Sequence, residues 1–159
     1  MIFGVCGGYQ LLGHSYQLGE ELLPGAGLVD LVTVRADGPR LIGNVAIEVE
    51  LEPGRRRVLA GFENHGGRTT LGSGETPLGR VLRGHGNDGH NGAEGIRRGN
   101  VIGTYLHGPL LPKNAWFADW LIAAALSLEP PLAELDDRLE DAAHAEARRA
   151  AGLRAVGAD

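Results

Sequence analysis

The strongest constraint on this chain comes from its one cysteine and what surrounds it. Residues 2–5 (Ile-Phe-Gly-Val) read as a very short strand, and Cys6-Gly7-Gly8 leads from it into Tyr9, Leu12 and Tyr16 at helical spacing. Gly4 and Gly8 flank Cys6 two residues away on each side, the spacing of a nucleophile elbow. So sharp a strand-to-helix turn strains the nucleophile's backbone and crowds its neighbours, where a Cβ would clash. It also sets the thiol at a helix N-terminus, whose partial positive charge favours thiolate, and aims the Gly7 N–H at a developing oxyanion. A free cysteine is most often a small buried hydrophobe. The strand, the glycines and the helical pattern that follows outweigh that reading here.

Composition removes several competing classes. One cysteine cannot close an internal disulfide, and no cationic start with an apolar run and cleavage site is visible, so a cytoplasmic setting is expected. No stretch approaches the roughly 20 apolar residues that span a bilayer. The net charge of −5 argues against a phosphate-neutralising surface, so nucleic acid is not an expected partner, and no membrane span is expected. Glycine, at 26 of 159 residues, has no collagen period and signals many turns and close backbone approaches.

Leu28 to Arg35 is β-prone, and Val45, Ile47, Val49 and Leu51 alternate with Ala46, Glu48, Glu50 and Glu52, the signature of a strand with one wet face. Residues 57–63, 79–83 and 100–105 are further strand candidates, and the Gly/Asn/Asp-rich run 84–95 reads as a mobile loop. After Pro112, residues Trp116, Phe117, Trp120, Leu121 and Ala124 share one helical face, and Pro130-Pro131 closes that segment. The tail 129–159 is polar and rich in Ala, Arg and Glu. Its Glu134–Arg138 pair has the i,i+4 order of an exposed helix, and the chain after Gly152 is expected to fray. Strands mixed with helices favour an α/β sheet.

A thiolate nucleophile needs a group that takes and returns a proton, and the chain has six histidines. His14 falls two turns into the first predicted helix and His144 in the polar tail, both as surface residues; His85 and His90 lie in the predicted mobile loop. His65 and His107 each end a strand candidate, where α/β sheets gather function. His107 follows the stronger strand and ranks first. His65 reads equally well as a loop residue bonded to its own turn. A metal site has no support, with one cysteine, no paired histidine spacing, and Gly89 and Arg98 breaking any calcium-loop pattern.

Taken together these residues resemble the class I glutamine amidotransferases, in particular their cobyric-acid-synthase-like branch. Cys6-Gly7-Gly8-Tyr9-Gln10 is similar to the Cys-x-Gly-x-Gln nucleophile motif, residues 61–65 to Gly-[Tyr/Phe]-Glu-x-His, and residues 103–108 to Gly-Thr-Tyr-x-His-Gly. Within the branch, the runs 63–69 and 103–114 most resemble the glutaminase subunits of lipid II isoglutaminyl synthases. The likeness covers about residues 1–128. It implies a flavodoxin-like α/β sheet flanked by helices. It also implies that Cys6 attacks the side-chain amide of glutamine while His107 shuttles protons. Gln10 and the Gly7 amide would line the glutamine pocket with Asn64 and His65. Arg40 would grip the α-carboxylate, as an arginine fork can; without the likeness Arg40 reads as an ordinary turn residue. The implied partner is a Mur-ligase-like subunit of the MurT type, which would hold ATP and magnesium and present lipid II. This chain itself has no phosphate-binding Gly-x-x-x-x-Gly-Lys-[Ser/Thr], so it needs no cofactor of its own.

Two departures from the family pattern stand out. The position two residues after His107, a glutamate in many class I enzymes, is Pro109, so no residue orienting His107 is evident. In the family the elbow lies mid-domain, whereas here it follows Met1 to Val5, so the chain is expected to be the C-terminal portion of such a domain without its N-terminal strands.

Overall fold

The computed structural model describes residues 1–153, and the expected fraying beyond Gly152 lies almost wholly outside them. β1 (Ile2–Val5) runs parallel to β11 (Val101–Thr104), pairing Gly4 with Gly103 and Val5 with Thr104, and β10 (Ile96–Arg98) extends the sheet antiparallel on the far side of β11. α1 (Gly7–Leu11) follows β1 directly. A second sheet has the order β3 (Glu21–Pro24), β2 (Ser15–Leu18), β4 (Leu31–Arg35), β7 (Gly67–Leu71); a third has β6 (Arg55–His65), β5 (Leu41–Glu52), β8 (Gly79–Arg83), β9 (Ala93–Glu94). Two helices complete the fold, α2 (Ala115–Leu126) and α3 (Arg138–Ala150). The class is mixed α/β. Its parallel pairing is confined to β1 with β11 and β2 with β4, and the rest of the strand pairing is antiparallel.

The alternation along residues 47–52 is what the β5–β6 hairpin uses: Ile47, Val49 and Leu51 are buried while Glu50 is exposed. Ala46 is buried as well, because β5 lies between β6 and β8. The buried side of this hairpin meets α2 through Phe117 and Leu121 and meets β11 through Ile102. Arg57 and Arg97 lay their guanidinium groups over the outer indoles, Trp116 and Trp120, at 4.6 and 5.2 Å from the ring centres. A second core cluster, Tyr9, Leu12, Val29, Leu31, Ile96 and Tyr105, joins α1 to the second sheet and to the end of β11.

Three expectations are corrected. The first helix stops at Leu11 rather than continuing through Tyr16, which lies on β2. Gly13 packs so closely on Leu31 that no Cβ fits there, and the Leu12 carbonyl accepts the N–H groups of Leu28 and Val29 instead of continuing the helix. Glu134 lies outside α3, and Arg138 at the start of that helix pairs with Asp136 at 2.7 Å. His144 is half-buried, its Nδ1 2.9 Å from the Lys113 carbonyl and 3.1 Å from Asn114 Oδ1, and ties α3 to the start of α2. Among the described residues no helix is long and apolar enough to cross a membrane.

Candidate active site

Cys6 adopts φ 52°, ψ −110°, a left-handed backbone that non-glycine residues rarely take, and such strain is held where the surrounding structure over-determines it. Its N–H donates to the Thr104 carbonyl at 2.9 Å, and its own carbonyl accepts the Gln10 N–H at 3.1 Å. Of the two flanking glycines only Gly4 is forced by space. A Cβ on Gly4 would stand 2.9 Å from the Gly8 backbone, whereas one on Gly8 or Gly7 would meet open space. The elbow is therefore present, but the helix behind it is one and a half turns, so the thiol has less of a helix dipole than the sequence pattern promised.

The thiol opens onto a cleft of about 320 Å³. It is lined by Cys6, Gly7 and Gln10, by residues 16–19 and Arg35, and by Arg40, His65, Gly66 and Gly67. Four of the residues expected at the site, together with Cys6, are thus brought to one place. Arg40 is aimed by Asn64: Nε donates to Asn64 Oδ1 and Nη2 to the Asn64 carbonyl, each at 2.8 Å. Asn64 lies behind Arg40 rather than on the cleft wall, and what it contributes is the direction of that guanidinium. Two arginines on the cleft give it the charge that suits a carboxylate.

Gln10 donates to the Tyr105 hydroxyl at 3.1 Å, and a chain of hydroxyls continues from Tyr105 to Thr69 and Thr33 at 2.7 Å per step. Tyr105 also stacks flat on His65 at 3.6 Å between ring centres. His65 is 2% exposed and ends β6. With its Nδ1 on the Gly67 carbonyl at 2.9 Å, Nε2 has no hydrogen-bond partner and lies 3.9 Å from Glu63 Oε2. Sequence reasoning did not single out Tyr105, Glu63 or Arg35. The first two sit inside the quoted motifs, and that was their only signal.

His107 lies three residues past the end of β11, half-buried, outside the lining of the Cys6 cleft. Its backbone exchanges hydrogen bonds with Phe62 of β6 at 2.9 and 3.0 Å, and its ring stands edge-on to Phe62. Because β11 is the parallel neighbour of β1, both Cys6 and His107 emerge from adjacent strands at the same end of one sheet. The run 84–95 is not a loose loop: Asn87 and Glu94 are fully buried, while His85 and His90 are exposed. No cluster of metal-ligating side chains occurs among the described residues.

Residues 1–115 match the CobB/CobQ-like glutamine amidotransferase domain. The chain belongs to this family. The amidotransferase chain is 41% identical over 143 residues to the GatD subunit of the glutamine-hydrolysing lipid II isoglutaminyl synthase of Staphylococcus aureus, covering 86% of this chain and 55% of that one. It is 38% identical over 127 residues to the same subunit of Streptococcus pneumoniae, covering 79% and 48%. A probable cobyric acid synthase of Methanothermobacter thermautotrophicus is 37% identical over 117 residues, covering 67% and 23%. This amidotransferase chain therefore spans about half the length of the GatD relatives.

Proposed function

We propose that this chain is the glutaminase part of an enzyme that amidates lipid II. The Cys6 thiolate attacks the side-chain amide carbon of glutamine; the C–N bond breaks, and ammonia leaves with a proton delivered by His107. Water then attacks the γ-glutamyl thioester, giving its proton to His107, and glutamate leaves as the thiol reforms. The Gly7 N–H faces the oxyanion, Arg40 holds the α-carboxylate, and Gln10 and His65 shape the pocket. The ammonia passes to a Mur-ligase-like partner of the MurT type in the cytoplasm, where ATP activates the α-carboxyl of the D-glutamate in lipid II and D-isoglutamine results.

The observation that carries this reading is the strained φ of 52° at Cys6, in a cleft that Arg40 and Gln10 also line. The match takes in 55% and 48% of the GatD relatives but only 23% and 27% of two cobyric acid synthases, and this favours lipid II over a cobyrinate as the final acceptor. The test is incubation with glutamine, alone and with a Mur-ligase-like partner, following glutamate release and a Cys6 thioester adduct by mass spectrometry. Both are expected in the complex, and Cys6→Ala abolishes them. If neither forms and Cys6→Ala binds the partner unchanged, the chain is a non-catalytic binding subunit.

A further inference from the structure

The segment 84–95 has no part in the chemistry above, yet three sets of buried contacts hold it. Glu63 accepts the N–H groups of His85 at 2.7 Å and Gly86 at 3.0 Å. Asn87 accepts the Tyr9 hydroxyl at 3.1 Å and the Gly95 N–H at 2.8 Å, and donates to the Gly95 carbonyl at 3.0 Å. Glu94 accepts the Tyr105 N–H at 2.7 Å and contacts the Thr104 hydroxyl at 3.0 and 3.1 Å, while Thr104 Oγ1 accepts the Leu106 N–H at 3.0 Å. Tyr9 stands three residues after Cys6, and residues 104–106 are the last three before His107.

We propose that Glu94 is a positioning residue for His107, and that the 84–95 segment holds the end of β11 and the helix behind Cys6 in one frame. The proposal rests on the roles given above to Cys6 and His107. Parallel pairing with β1 ends at Val5 and Thr104, so the next three N–H groups need other acceptors. Tyr105 finds Glu94, Leu106 finds the Thr104 hydroxyl that Glu94 engages, and His107 finds the Phe62 carbonyl. Two of the three therefore depend on one side chain. A buried carboxyl is costly in a core position that an apolar residue could fill, and here its two oxygens are spent on the path to His107. Burial also raises the Glu94 carboxyl to about 8, so near neutral pH it is mostly protonated and brings little net charge to the site.

The test compares Glu94→Ala, Glu94→Gln and Thr104→Val in the full chain, with the ligase partner present, by glutamine kinetics and by NMR of labelled histidine rings. Glu94→Ala is expected to lower kcat about 100-fold, the effect of a misplacement of about 1 Å, with KM within about twofold. Glu94→Gln, whose carbonyl still accepts the Tyr105 N–H, restores kcat to within about fivefold. The His107 ring resonances move in Glu94→Ala and return in Glu94→Gln, while those of exposed His14 and His90 stay. A kcat within about threefold of wild type in Glu94→Ala overturns the proposal. So does a loss that Glu94→Gln fails to reverse while the His107 resonances stay in place. If Glu94→Ala does not fold, Thr104→Val decides: unchanged kcat and unchanged His107 resonances overturn it. If the wild-type protein hydrolyses no glutamine, the proposed reaction fails, and the His107 resonances alone decide the positioning.

Discussion

Gly103→Ala probes the contact between β11 and the residue that follows the elbow. A Cβ at position 103 would enter the ring of Tyr9, with Cε2 at 2.8 Å, Cγ at 3.0 Å and Cδ2 closer still. Carbon atoms at rest stand about 3.5–4.0 Å apart, so the ring must retreat by about 1.5 Å. It has little room to do so. Tyr9 is fully buried, edge-on to Tyr105 at 5.0 Å between centres, and its hydroxyl is held by Asn87 at 3.1 Å. Overpacking of this kind costs about 1–3 kcal/mol, and parting the hydroxyl from Asn87 adds about 1 kcal/mol. The stiffer unfolded chain returns about 0.4–1 kcal/mol. The net loss is about 1–3.5 kcal/mol, read as a shift of the urea unfolding midpoint at constant m. Truncating the ring in Tyr9→Ala removes the obstacle. Adding Gly103→Ala to that background should then cost less than about 0.5 kcal/mol, a coupling of about 2 kcal/mol in the double-mutant cycle. Equal penalties in both backgrounds, or a wild-type penalty under about 0.5 kcal/mol, would show that the strand and the elbow helix are not locked together by this contact.

Asn114→Ala deprives Ala60 of partners for both its N–H and its carbonyl in the middle of β6, and Leu110 of the donor to its carbonyl. About 2–4 kcal/mol of unfolding free energy should be lost, and a loss below about 1 kcal/mol would contradict the buried accounting. Arg40→Ala removes the proposed carboxylate fork, so KM for glutamine rises about 10- to 100-fold with kcat changed far less; Asn64→Ala, which frees the guanidinium from its two bonds, gives a smaller rise of the same kind. Glu94 keeps its proton in the fold up to about pH 8 but loses it near 4.5 in the unfolded chain, chiefly because burial disfavours the charge. Its contribution is full below pH 4.5 and declines as pH rises through 8, amounting to at most about 5 kcal/mol at 1.36 kcal/mol per unit. Unfolding free energies from pH 5 to 9 should fall more steeply in wild type than in Glu94→Gln, and parallel profiles would refute the assignment.

The elements legible in the sequence are those whose burial follows a local rule. The alternation at 47–52 and the apolar face from Trp116 to Leu121 carry their own period, and β8 occupies residues 79–83 as predicted. The second sheet was harder to read. β2 has no buried residue, β3 contains Glu21 and Pro24, and β7 is Gly-Arg-Thr-Thr-Leu, so none shows an apolar alternation. β2 and β7 form strands because β4 offers a buried edge on each side, to β2 through Thr33 and Tyr16 and to β7 through Thr33 and Thr69, and β3 forms on the outer edge of β2. Only the assembled fold contains that information. Tyr16 fitted a helical face equally well, and the backbone approach of Gly13 to Leu31 decided the matter.

The same distinction divides the site. Cys6 and His107 could be singled out because an elbow and a strand end are local patterns, whereas Gln10 and Arg40 came only from the family likeness, since on its own Arg40 reads as an ordinary turn residue before a strand. Asn87 and Glu94 could not, since Asn, Asp and Gly in a run are also the composition of a solvated turn. What separates the two cases is partners 78 positions away at Tyr9, and 10 and 11 positions away at Thr104 and Tyr105. A reacting group must present a particular chemistry, which residue identity reveals. A positioning group needs only to complete hydrogen bonds left open by the chain around it, and those openings exist only once β1 and β11 have paired and their ladder has run out at Thr104.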